Sequence, residues 1–193
     1  KEWIGRGLVE ALSMNLHSQR EMSVMPTVQM GLHRQNHKRG NKPADIYSFG
    51  DFLDQDYLIS SEYNMEKDTL SILMNIWNIR KQSLSSVGIK FHNKNIFEMT
   101  TSLTKEIYGV VYSDTSVAPV PFSIPEVDEK VFSIYAMAIS HEAAGRIPEA
   151  LYACERALEL SPRFLEARLL LINLRLKAAQ YGLALKLSKD LYK

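Results

Sequence analysis

The sequence is short of nearly everything that announces chemistry. It has one cysteine, Cys154, so no internal disulfide can form. No neighbouring ligand lies at metal-binding spacing, and together these predict a reducing, cytoplasmic setting. An excess of one charge is missing too. With 23% charged residues and a formal net charge of +1, no global field selects a nucleic acid or a membrane surface. Long apolar runs are also absent. Stretches such as Val110–Tyr112 and Leu169–Leu174 fall far short of the roughly 18 residues a membrane span needs, so no span is expected. The chain opens on Lys1 without a basic-then-apolar leader, which leaves open that it is a fragment or has lost a leader.

Catalytic signatures are lacking as well. There is no Gly-x-Ser-x-Gly elbow and no phosphate-cradling glycine loop closed by Lys-Ser/Thr. His141-Glu142 begins a metalloprotease pattern, but Gly145 stands where the second histidine would be needed. The expectation is a protein that is not an enzyme, with no cofactor and no metal. Cys154, inside an apolar helical period, reads as core.

What is present is 193 residues, 46% of them apolar, enough for one domain or two small units. The expected fold class is all-α, with a helical region over 1–111, a proline-containing linker over 112–126 and a repeat module over 127–193. Trp3, Ile4, Leu8, Leu12 and Leu16 form an apolar helical stripe, and four methionines gather around Pro26 between Met14 and Met30. They suit either an irregular core or an adaptable binding face. Between Glu21 and Asp45 no acidic residue occurs, while Arg34, Lys38, Arg39 and Lys42 crowd a loop rich in basic residues. Those four are the candidate nucleic-acid contacts, with Tyr47, Phe49 and Phe52 near enough in sequence to stack on bases. The alternative is a solvated connector.

Residues 31–53, with Lys42-Pro43 followed by Asp51-Phe52, resemble the end of lambda-type phage tail assembly chaperones. Leu53-Asp54 stands where that family usually has Met-Pro. The resemblance implies a role in phage tail assembly.

Asp45–Tyr63 reads as an irregular loop with one short helix. Asn64–Gln82 reads as a helix, started by Asn64 or Asp68, with Leu70, Leu73, Met74 and Trp77 on its period. Gly88 is expected to end a connecting turn, and Asn95 to cap a further helix through Val111. Pro119, Pro121 and Pro125 preclude a helix over 112–126 and suggest an extended spacer, or a strand lying along a groove of the same molecule.

From Val131 onward the chain repeats itself at a spacing of about 34 residues. Ala144 aligns with Ala178, Ala150 with Ala184 and Leu151 with Leu185. Helices are expected over Val131–Ala144 and Ile147–Leu160, with Gly145 at their turn and Pro162 beyond the second. Another pair begins near Leu165. This pattern of Ala138, Gly145, Ala150, Ala157 and Glu159-Leu160-Ser161-Pro162 closely resembles the tetratricopeptide repeat family.

The resemblance implies a short α-solenoid whose first helices line a ligand groove. Carried onto this chain, the lining positions are Phe132, Tyr135, Ile139 and Glu142, then Glu166, Leu169, Asn173 and Leu176, with Lys177 beside them. In the family, lysines and asparagines grip chaperone tail carboxylates. Here Tyr135 and Ile139 hold matching positions, so an apolar or amphipathic segment of another protein is the expected ligand. The unfinished second pair suggests a chain cut here or covered by another surface of a larger assembly. The functional expectation is a protein–protein interaction module: an adaptor, chaperone or assembly subunit.

Overall fold

The computed structural model describes residues 3–19, 22–25, 42–92, 95–112 and 127–191. Its elements are α1 (Trp3–Ser18), α2 (Pro43–Phe52), β1 (Tyr57–Glu66), β2 (Thr69–Asn78), β3 (Ser83–His92), α3 (Ile96–Val111), α4 (Glu129–Ala143), α5 (Ile147–Leu160), α6 (Leu165–Lys177) and α7 (Tyr181–Leu191). The chain divides into two compact units, one holding 1–11 with 123–193 and the other 12–122, so the division falls inside α1.

The second of these units overturns the all-α expectation. It contains a three-stranded antiparallel meander, β1-β2-β3, where a helix over Asn64–Gln82 and a turn at Gly88 were expected. Leu70, Ile72, Met74 and Ile76 alternate along β2, and each is 4% exposed or less. That period of two buries one face of a strand. The β-branched Ile72 and Ile76 suit the pleat, packing opposite Tyr63 and Ile89 and opposite Ile59 and Ser85.

Asp68 starts no helix. It forms with Lys67 the two-residue turn between the paired ends Glu66 and Thr69, and Lys67 adopts a positive φ of 52°. Gly88 sits mid-strand opposite Leu73. On the face opposite Leu70, Ile72, Met74 and Ile76, Ser86 Oγ donates to Asn75 Oδ1 at 2.6 Å at an exposed position, while the buried Trp77 donates its Nε1–H to Ser60 Oγ at 3.3 Å and meets Tyr47 of α2 edge-on.

Helix α2 begins on Pro43, whose fixed φ suits a first turn. The Lys42 backbone N–H donates to Asp45 Oδ2 at 3.2 Å. Gly50 lets α2 lie tightly on Ile79, since a Cβ there would stand 2.4 Å from Ile79 Cδ1. Helix α3 is capped by Asn95, whose side chain accepts from the Glu98 N–H at 2.9 Å. Its buried face runs Ile96, Met99, Thr100, Leu103, Thr104, Ile107 and Tyr108, the spacing of an amphipathic helix. One buried polar chain joins α1 to α3. Gln19 Nε2 donates to Asn15 Oδ1 at 2.8 Å, and Asn15 Nδ2 donates to Thr104 Oγ1 at 2.7 Å.

The other unit holds two helical hairpins. Asp128 caps α4 by accepting from the Val131 N–H at 2.8 Å. Ile147 and Tyr181 open the second helix of each hairpin, 34 residues apart. Ala138, Ala150, Ala157 and Ala167 are fully buried and allow close helix approach. The two turns are built alike. Gly145 has φ +73° and Ala179 φ +56°. Arg146 N–H bonds back to His141 O at 2.9 Å, as Gln180 N–H does to Arg175 O at 2.8 Å.

Candidate functional site

The expected groove positions separate into two groups. Phe132, Tyr135 and Ile139 are interior, at 0%, 6% and 4% exposure, and cannot line an open groove. Phe132 and Tyr135 form an aromatic cluster with Phe164, the residue preceding α6, with ring centroids 6.5 and 4.8 Å from it. Burial pushes the Tyr135 hydroxyl far above its ordinary range, and the carboxylates of Glu10 and Glu166 add to the shift. Glu10 lies on α1, whose first part, residues 3–11, belongs to this same unit. The chain's own first helix therefore stands near the inner wall that a foreign segment was expected to occupy.

Glu142 Oε1 takes a 2.8 Å ion pair from Lys177 Nζ, tying the first helices of the two hairpins together. With Lys177 half exposed, that pair is worth at most about 1 kcal/mol. The remaining positions stay open: Glu166 is half-buried and Asn173 exposed, while Leu169 and Leu176 are each 46% exposed. Leu165, at 52%, extends them. Residues 165, 169 and 176 fall at i, i+4 and i+11, which places them on one strip of α6.

Spacing alone misses a second surface. On the far side of α4 and α5 from α6, Ile134, Met137, His141, Pro148, Glu149 and Tyr152 line a mostly apolar cleft of about 540 Å³. Tyr152 is 74% exposed. His141 Nδ1 is buried and makes no hydrogen bond among the described residues. The signal that could have found it is the repeat itself, because Met137 and His141 stand 34 residues before Leu171 and Arg175.

No family model, curated protein or solved structure matches this chain. The site is read from its own geometry. Of the candidate nucleic-acid contacts, Arg34, Lys38 and Arg39 lie outside the described residues, and Lys42 is exposed at the start of α2. Within the segment similar to the phage chaperones, Asp51 and Phe52 close α2 and are both exposed. The linker positions 113–126 likewise lie outside the described residues. Among the described residues no group of His, Cys, Asp or Glu is placed to hold a metal ion, and no helix is long and apolar enough to cross a membrane.

Cys154 is packed against α6, its Sγ donating to Ala167 O at 3.1 Å. Burial, then the nearby Glu155 and Glu142, push its thiol up to about 12, against a smaller opposing effect of Arg175. It is a neutral packing group at physiological pH and a poor nucleophile.

Proposed function

We propose that this chain is a non-catalytic protein–protein interaction module, an adaptor, chaperone or assembly subunit, that holds an apolar or amphipathic segment of another protein along α6. The observation that carries this reading is the strip Leu165, Leu169 and Leu176, each about half exposed on one side of a helix whose opposite side, Ala167, Leu170, Leu171 and Leu174, is core. Asn173 and Glu166 beside the strip supply polar groups that orient a ligand. The likeness of this pair of hairpins to tetratricopeptide repeats supports the same reading.

Burying what remains exposed of Leu169 and Leu176 contributes roughly 1 kcal/mol each, about half of the roughly 1.5–3 kcal/mol for burying a whole leucine side chain. Replacing both by glutamate therefore weakens binding by about 30-fold, since 1.4 kcal/mol is tenfold. The test is affinity capture on the immobilised full chain, comparing wild type with Leu169→Glu/Leu176→Glu. Proteins held by the first and released by the second, with unchanged thermal unfolding, support the reading. Identical retained sets overturn it.

A further inference from the structure

The two halves of the inner wall differ in a way that repeat register makes visible. Moving 34 residues along the chain carries Phe132 to Glu166, Tyr135 to Leu169, Ile139 to Asn173 and Glu142 to Leu176. The α6 set is half-buried or exposed, whereas Phe132, Tyr135 and Ile139 on α4 are core. Units stacked alike give equivalent positions similar surroundings, so the difference reflects what lies across α4. Phe164 supplies part of it, with its ring against Phe132 and Tyr135. The first part of α1, residues 3–11, falls in the same unit, and its Leu8, Glu10 and Ala11 are buried. Glu10 is close enough for its charge to act on the Tyr135 hydroxyl. Ile4, Leu8 and Ala11, at i, i+4 and i+7, form the kind of apolar stripe that a helix-binding groove takes.

We propose that residues 3–11 of α1 are a ligand held in cis on the α4 half of the groove, so that an amphipathic helix of a partner protein reaches that wall only by displacing them. The segment is built to be displaced. Gly5 and Gly7 lie within it, and glycine weakens a helix more than any residue but proline. Glu10 is a buried carboxylate, and Arg6, its i,i+4 partner at 3.5 Å, has a buried Nε that makes no hydrogen bond among the described residues. Both groups regain hydration when the segment leaves, which offsets part of the apolar burial lost. The rest of α1 keeps an anchor of its own, Asn15 bonded to Thr104. The proposal concerns the α4 wall and not the strip Leu165, Leu169 and Leu176, so either can fail while the other stands.

The test uses the full 193-residue chain and a fluorescein-labelled peptide with the sequence of Trp3–Met14, stapled through positions 9 and 13 to hold it helical. Fluorescence anisotropy should show saturable binding to the Leu8→Glu/Ala11→Glu chain, whose own segment no longer fits the wall. Binding to the wild-type chain, whose wall is filled, should be at least tenfold weaker. A peptide carrying the same two changes should bind neither chain. Circular dichroism checks that the variant is folded, and Leu8→Ala replaces it if it is not. Independently of any variant, the wild-type chain grown with photo-leucine and irradiated should yield, in mass spectrometry, a cross-link joining residue 8 to α4.

Equal binding to the two chains, no binding to the folded variant, or cross-links from residue 8 that never reach α4 would each overturn the proposal. So would concentration-dependent dimerisation of the wild-type chain in sedimentation that Leu8→Glu/Ala11→Glu abolishes, because α1 would then be exchanged between copies.

Discussion

Gly145 and Ala179 should respond to exchange of their residue types with opposite signs. Both sit just past the first helix of a hairpin with positive φ, +73° and +56°. The turn bonds match too: Gly145 N–H to Glu142 O at 2.9 Å, and Ala179 N–H to Leu176 O at 3.0 Å. A residue with a Cβ loses roughly 1–2 kcal/mol in this left-handed region. Glycine gives back about 0.4–1 kcal/mol through the greater freedom of its unfolded chain. Ala179→Gly should therefore stabilise the second hairpin by about 0.5–1 kcal/mol.

Gly145→Ala should destabilise the first hairpin by a similar amount, through backbone preference alone, because a Cβ at Gly145 meets nothing within 4 Å. At roughly 2–4 °C per kcal/mol for a chain of this size, the two melting shifts are about 1–4 °C, up for one and down for the other. Thermal unfolding followed by circular dichroism at 222 nm measures both. Native-state hydrogen exchange at the Arg146 and Gln180 amides localises them. If Ala179→Gly lowers the melting temperature, or both variants shift it the same way, the two turns are not equivalent and the repeat register fails with them.

Thr104→Val removes the acceptor for Asn15 Nδ2 and leaves an amide unpaired at a fully buried position, so chemical denaturation should report a loss of about 1–3 kcal/mol. Adding Asn15→Leu should recover part of that loss. Gly50→Ala forces a methyl to 2.4 Å from Ile79 Cδ1, and with Ile79 only 3% exposed the expected penalty is about 1–3 kcal/mol. Combined with Ile79→Ala, the two losses should be clearly less than additive in a double-mutant cycle.

Cys154 has its thiol raised from an ordinary value near 9 to about 12. The folded state therefore holds the proton more tightly, and this contribution is fully present below about pH 9 and declines as pH rises towards 12. Native protein at pH 8 should react with a thiol reagent many-fold more slowly than denatured protein. Equal rates would show that the thiol is not enclosed.

Helix ends and turns were legible wherever a local residue dictates them. Asn95 caps α3 because its short side chain reaches the Glu98 N–H, and Gly145 marks a left-handed turn because glycine alone enters it without strain. The helix Ile147–Leu160 was readable to the residue from that glycine on one side and Pro162 on the other.

The stretch 70–79 was not legible in the same way. Leu70, Leu73, Met74 and Trp77 satisfy a helical period, while Leu70, Ile72, Met74 and Ile76 satisfy a strand period. Pairing with the neighbouring strands 57–66 and 83–92 decided between them, and the periodicity within 70–79 alone cannot weigh that pairing. The same limit governs the groove. The likeness to tetratricopeptide repeats put Phe132, Tyr135 and Ile139 on a groove wall, but Phe164 and the nearby first helix decided that they would be core. The sequence by itself determined which faces are apolar, because periodicity is local. Only the tertiary structure decided which of those faces stayed open, because exposure depends on whatever distant segment packs there.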